Sequence, residues 1–189
     1  MAIAEKNLVD HKKLRELILY VATVSEGDET FGSTKLNKLL FFSDFLCYME
    51  TGNAITGEEY QKLKNGPAPR AMLRVSEEMR QAHELELADR RHYGKLQKRP
   101  MALRDPDLSV FTATEIAIVE RVLRRFWDKN ASEISATSHQ FIEWQLADEG
   151  ETIPYVSSLF YTRDLTRQEM EWANNLDLAG AEEMLRRNG

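Results

Sequence analysis

The chain has 189 residues and a single cysteine, Cys47. One thiol can form neither an internal disulfide nor a thiolate metal site, so stability must come from packing. Cys47 lies within an apolar stretch and reads as a small core residue. Four histidines, His11, His83, His92 and His139, are scattered with no H-E-x-x-H spacing, and no G-x-S-x-G elbow or complete G-x-x-x-x-G-K-[ST] loop occurs. These gaps exclude the zincin, nucleophile-elbow and P-loop chemistries. Gly52, Gly57 and Gly66 read as turn punctuation.

No apolar run approaches the ~20 residues needed to cross a bilayer, and the N-terminus MAIAEKNLVDHKK lacks an apolar signal core. The expectation is a cytoplasmic protein without a membrane segment. The formal charge of −6 argues against a large nonspecific nucleic-acid surface. A chain of this length suits one domain, taken here as residues 1–189 with a core over about 10–160.

What is present centres on residues 34–67. From Leu36 to Met49 nearly every position is apolar, which predicts a helix in the middle of the domain. Asn37, Phe41, Asp44 and Tyr48 recur at helical spacing, so they form one side that can meet a polar partner. Phe41, Phe42, Phe45, Tyr48 and Tyr60 read as core aromatics. Lys35 and Lys38 fall in the first turn, where the helix dipole disfavours cations, so something nearby should compensate. Asp44 also needs a partner, with Lys35, Lys38 and His139 as candidates. Thr56 and Glu59 match a capping box for a short helix ending at Asn65-Gly66-Pro67. Pro69 suits the first turn of a following helix. Gly66-Pro67 has two readings, a rigid helix stop or the wall of a groove beside Lys35 and Lys38.

Around this stretch the periodicity predicts further elements. Leu14, Leu17, Ile18 and Val21 mark a helix over 10–24, followed by the acidic loop 25–29, with Gly32-Ser33-Thr34 as loop and cap. Met72, Val75, Met79 and Ala82 mark a helix to about His83. From Glu84 the period changes to two, giving a β-hairpin about Tyr93-Gly94. Arg90, Arg91, Lys95, Lys98, Arg99 and Arg104 crowd this hairpin, with no acidic residue between Asp89 and Asp105. Such a finger could meet nucleic-acid phosphates or an acidic protein, or could simply protect an exposed strand edge.

Thr112 and Glu115 form another capping box before a helix over 113–128, with Ile116, Val119, Val122, Leu123 and Phe126 as its buried stripe. Asn130 and Glu133 open a helix over 130–147. Residues 151–156 read as extended, and Thr166 with Glu169 cap a last helix over about 166–188. His139 and Glu143 stand four apart beside Trp144, a spacing open to a metal or acid-base pair, to a satisfied histidine and to a partner contact. Ser138 and His139 are no nucleophile and base, since helix neighbours point about 100° apart.

In order, K-L-N-K-L-L-F-F-S-D at 35–44, I-T-G-E-E-Y at 55–60, N-G-P at 65–67, F-T-A-T-E at 111–115, A-S-E-I-S at 131–135, then Ser138-His139 and Trp144 resemble the Panacea domain, also called SocA-like or DUF4065. The resemblance runs from about 13 to 160. It implies a mainly α (α+β) fold, with a compact multi-helix domain and a small β-hairpin between two helical halves. The 166–188 helix falls outside it and is expected to be specific to this member.

The family is mostly described as antitoxins of toxin-antitoxin pairs and as phage-associated proteins. The resemblance therefore implies a non-enzymatic protein without cofactor or metal that binds a cognate toxin encoded by an adjacent gene. Matching positions are Lys35, Leu36, Lys38, Leu39, Asp44, Gly66, Pro67, His139 and Trp144. Ala68-Pro69-Arg70 departs from the valine-rich continuation expected after Gly-Pro. Two other functions compete: an adaptor delivering a partner to a protease, and a DNA-binding autoregulator using Arg90, Arg91, Lys95, Lys98 and Arg99.

Overall fold

The computed structural model describes residues 11–92, 95–139, 145 and 147–156. The Tyr93-Gly94 turn, Glu143, Trp144 and the 166–188 helix lie outside the described residues. Helix α1, His11–Val24, buries Leu14, Leu17, Ile18 and Val21, as their spacing predicts, together with Leu19 and Ala22. A 3-10 turn, Ser25–Gly27, leads on to helix α2, Ser33–Thr51. Gly32, the first residue of the expected Gly32-Ser33-Thr34 loop and cap, is its N-cap and brings no side-chain hydrogen bond. Gly52 closes α2 in the left-handed conformation at φ 78°.

Helix α2 is the centre of the domain. Its residues Leu36, Leu39, Leu40, Phe41, Phe45 and Cys47 belong to one hydrophobic cluster with α1 and the later helices. A helix apolar on all sides must be covered on all sides, and α2 packs against α1 and further elements of both halves. On the expected polar side Phe41 and Asp44 are fully buried and Asn37 and Tyr48 half-buried, and Asp44 meets its polar partners, Thr56 and Tyr60, inside the domain.

The predicted short helix at 56–65 is replaced by sheet. Strands β1, Tyr60–Gln61, and β2, Ala68–Pro69, pair antiparallel, with Tyr60 opposite Pro69. Thr56 does not cap a helix because both its amide and its hydroxyl donate to Asp44. Pro69 lies in β2, an edge strand of the sheet, where a missing amide donor costs least. Helix α3 begins only at Met72 and runs to Gln81, burying Val75 and Met79.

Strands β3, Leu85–His92, and β4, Lys95–Ala102, form the expected antiparallel hairpin, from Leu85 opposite Ala102 to His92 opposite Lys95. Helix α4, Ala113–Phe126, starts at the predicted Thr112–Glu115 capping box, with both reciprocal hydrogen bonds formed. Its buried stripe uses Ile118 where Ile116 was expected. Phe126 stacks on Phe42 of α2, ring centres 4.7 Å apart. Helix α5, Ala131–Ser138, has a complete Asn130–Glu133 capping box. Strand β5, Thr152–Ile153, lies in the segment expected to be extended and pairs with β1, giving the order β2-β1-β5. Among the described residues the fold is mainly α with two small antiparallel sheets.

Candidate functional site

Lys35 and Lys38 leave the first turns of α2 and are each only 1% exposed. Lys35 uses all three of its donors, reaching Asp28 Oδ2 at 2.5 Å, Thr30 Oγ1 at 2.8 Å and the Lys129 carbonyl at 2.7 Å. Burial pushes the Asp28 carboxyl up, but hydrogen bonds from Lys35 and Thr30 outweigh it and hold the carboxyl below its ordinary value. The acidic loop is thus the compensation that the helix dipole demanded.

Arg99 completes this lock. It is 4% exposed, and its guanidinium donates to the carbonyls of Ser25, Glu26, Asp28 and Phe31. This corrects its place in the basic finger, because β4 turns it inward as a strap on the 25–31 loop. Arg104 also turns back, pairing with Glu16 and Glu84 at 2.7 and 3.1 Å. Lys98 is exposed but sits 2.7 Å from Asp89, and Lys95 pairs with His92 in the ladder. Arg90 and Arg91 are exposed.

Lys38 has a different environment. Its ammonium donates to the Pro67 carbonyl at 2.7 Å, and among the described residues no carboxylate lies within 4 Å of it. Burial pushes its pKa down to about 7, because desolvation disfavours the charged form and no anion offsets it. Gly66, at φ +95°, lies against the lysine. A Cβ there would come within 2.5 Å of Lys38 Cε and 2.8 Å of Ser138 Oγ, so the position demands glycine for space as well as for φ.

One serine of α5 fastens the same loop, and a second bonds within the helix. Ser135 donates to the Asn65 carbonyl at 2.9 Å, and the fully buried Ser138 donates to the Ser135 carbonyl at 2.8 Å. His139 follows as the C-cap of α5. Burial, then the Lys38 and Lys62 charges, lower its pKa. A cleft of about 380 Å³ opens here, lined by Thr34, Lys64, Asn65, Ser132, Ser135 and His139 among others.

Asp44 takes no part in this cleft. Its carboxylate, fully buried, accepts from the Thr56 amide at 2.8 Å, the Thr56 hydroxyl at 2.5 Å and the Tyr60 hydroxyl at 2.7 Å. None of the cations Lys35, Lys38 or His139 is its partner, which corrects the expectation. Burial outweighs these hydrogen bonds and pushes its pKa up to about 6. Nearby, Tyr155 donates to the Glu58 carbonyl at 2.6 Å, joining β5 to the loop before β1.

Of the residues singled out in the sequence, the structure brings together Lys38, Gly66, Pro67 and His139. It places Lys35 and Asp44 in separate buried networks; Trp144 lies outside the described residues. Asn65, Ser135 and Ser138 appeared in the sequence only as motif positions, and Ser138 was set aside as a nucleophile. Their contacts run through backbone carbonyls, which residue types do not announce.

A family model described as antitoxin SocA-like, Panacea domain, matches residues 36–145. The chain belongs to this family. The match spans Lys38, Gly66, Pro67 and His139, together with every residue lining the cleft except Thr34. No curated protein and no solved structure matches the chain. Among the described residues of this Panacea domain, no helix is long and apolar enough to cross a membrane. No group of three or more potential metal ligands occurs among them either.

Proposed function

We propose that this Panacea domain is the antitoxin of a toxin-antitoxin pair and neutralises a cognate toxin, encoded by an adjacent gene, by direct contact. The observation that carries the reading is the family match over residues 36–145. A buried lysine without a counter-ion supports a contact role for the cleft, because arrangements that cost stability tend to be kept where function uses them. The cleft beside the buried Lys38–Gly66–Pro67 cluster, with His139 in its lining, is the surface we assign to the toxin. No chemical step is required of the protein; it binds and covers.

The test is a growth assay with the adjacent gene product induced, with and without this protein, followed by a pull-down. Rescue with a stable complex supports neutralisation by contact. A product that is harmless alone, or still toxic with this protein present, overturns the reading. Rescue accompanied by disappearance of the toxin in a pulse-chase overturns neutralisation by contact in favour of a proteolytic adaptor.

A further inference from the structure

The β3-β4 hairpin has two outer edges, and they are finished differently. The Leu103 amide donates to the Glu84 carbonyl at 2.8 Å, which fixes the phase of the ladder. Even-numbered residues of β3 therefore bond towards β4, while the amides and carbonyls of Leu85, Leu87, Asp89 and Arg91 point away from it. By the same alternation Lys98 and Pro100 face outward on β4. That edge is closed: Pro100 has no N–H, the Ser33 hydroxyl donates to the Lys98 carbonyl at 3.1 Å, and β4 lies against α1 and α2.

The β3 edge is open. It contains no proline, and a single outward backbone group has a partner among the described residues: the Leu87 amide, which donates to Glu86 Oε1 at 3.0 Å. Glu86 is exposed, so an incoming strand need only displace its carboxylate. A row of unpaired amides and carbonyls is a template for another strand.

The charges along β3 choose the strand that fits. In order they are Glu86, Asp89, Arg90 and Arg91, acidic first and basic last. Asp89 is held by Lys98, whereas Arg90 and Arg91 are exposed and make no ion pair with a described residue. A strand whose charge reverses along its length is complementary to its own antiparallel copy. Since the odd-numbered residues bond outward, the copy must place odd opposite odd. With Ala88 opposite Ala88 of the second copy, Leu87 faces Asp89 and Leu85 faces Arg91 in hydrogen-bonded pairs. Glu86 then faces Arg90 in the closer non-hydrogen-bonded pairs, with Cα atoms ~4.5 Å apart. The neighbouring registers set Asp89 against Asp89, or leave Glu86 facing Ala88.

We propose that this edge pairs with a second copy of the chain, β3 to β3 about a two-fold axis at Ala88, so that two hairpins continue as one antiparallel sheet. On pairing, the Leu87 amide turns from Glu86 to the Asp89 carbonyl of the second copy, and the released Glu86 carboxylate meets Arg90. A single strand edge is a small interface, so the dimer is dissociable and forms with rising concentration. It uses none of the residues lining the α5 cleft and does not rest on the antitoxin reading.

The experiment is sedimentation velocity on the full chain from micromolar to millimolar concentration, with amide hydrogen exchange at both ends of the range. A monomer that becomes a dimer is expected, with the Asp89 and Arg91 amides gaining protection as it forms. Asp89→Pro removes an outward donor and no ladder hydrogen bond, so the hairpin stays intact and the dimer is lost. Glu86→Arg and Arg90→Glu, each alone, set like charges face to face and should raise the dimer dissociation constant roughly tenfold or more. Mixing these two variants brings opposite charges together again and should restore association between them, a result that misfolded chains would not give. The proposal is overturned by a monomer at every concentration, or by a dimer that persists in Asp89→Pro or leaves the Asp89 and Arg91 amides unprotected. A mixture of the two charge variants that stays monomeric while the parent chain dimerises also overturns it.

Discussion

Lys35 and Lys38 begin one helical turn apart on α2 and are equally buried, yet they end in opposite surroundings. Around Lys35 everything is matched: an ammonium with three acceptors, a carboxylate with a lysine and a threonine, and a guanidinium bound to four carbonyls. Around Lys38 the ammonium has one carbonyl and a glycine pressed against its stem. A buried charge that is fully paired behaves as scaffold. One that is not paired costs stability, and is expected where a ligand completes it.

The sharpest way to break this comparison is to remove Lys35. Lys35→Met leaves the Asp28 carboxylate buried without its cation, which should cost about 3–5 kcal/mol. That is a large part of the 5–15 kcal/mol typical of a domain, and a urea melt would read it. Equal tolerance of the two lysines to methionine would dissolve the distinction. Next comes Gly66→Ala, which should cost about 1–3 kcal/mol through positive φ and the crowding of Lys38 and Ser138. In a Lys38→Ala background part of that cost should disappear, and an unchanged cost would mean that the lysine stem is not what the glycine accommodates.

A smaller effect sharpens the electrostatics. The folded pKa of Lys38 lies at about 7, below its ordinary value of 10.5, so over that interval the unfolded chain binds more protons than the folded one. Its contribution to stability is therefore fully present above pH 10.5 and is lost as pH falls to about 7, at up to roughly 1.4 kcal/mol per unit. Denaturant melts between pH 7.5 and 9 should show a rise in the wild type that is reduced in Lys38→Met. Parallel curves would place the lysine in water or beside an anion. The smallest effect is expected at the hairpin: Arg90→Glu with Arg91→Glu should change stability by less than about 0.5 kcal/mol and leave neutralisation intact. Loss of rescue there would move the contact surface from the cleft to β3.

The sequence made the helices legible where a repeating pattern or a cap carried the information. Helix α1 showed its stripe, α4 and α5 showed their capping boxes, and the switch to period two showed the hairpin. The β2-β1-β5 sheet was not legible, because strands of two residues carry no period and β5 is brought in from far along the chain. Thr56 and Glu59 had the residue types of a cap, but a buried Asp44 competed for the Thr56 hydroxyl and amide. Arg99 and Arg90 look alike in sequence; only the packing of β4 on the 25–31 loop separates strap from surface. For the cleft, Gly66 and Pro67 lie buried beside it rather than in its lining, and the serine contacts to backbone left no trace in residue types.

The most direct measurement is a denaturant melt of Lys38→Met at pH 7 beside its neutralisation assay. Replacing an unpaired buried ammonium by an apolar side chain of similar length should raise stability by about 1–3 kcal/mol, net of the hydrogen bond lost at the Pro67 carbonyl, while weakening rescue of the toxin. A variant that is less stable than the wild type, or equally protective, would make Lys38 another piece of scaffold and leave the cleft without its partner.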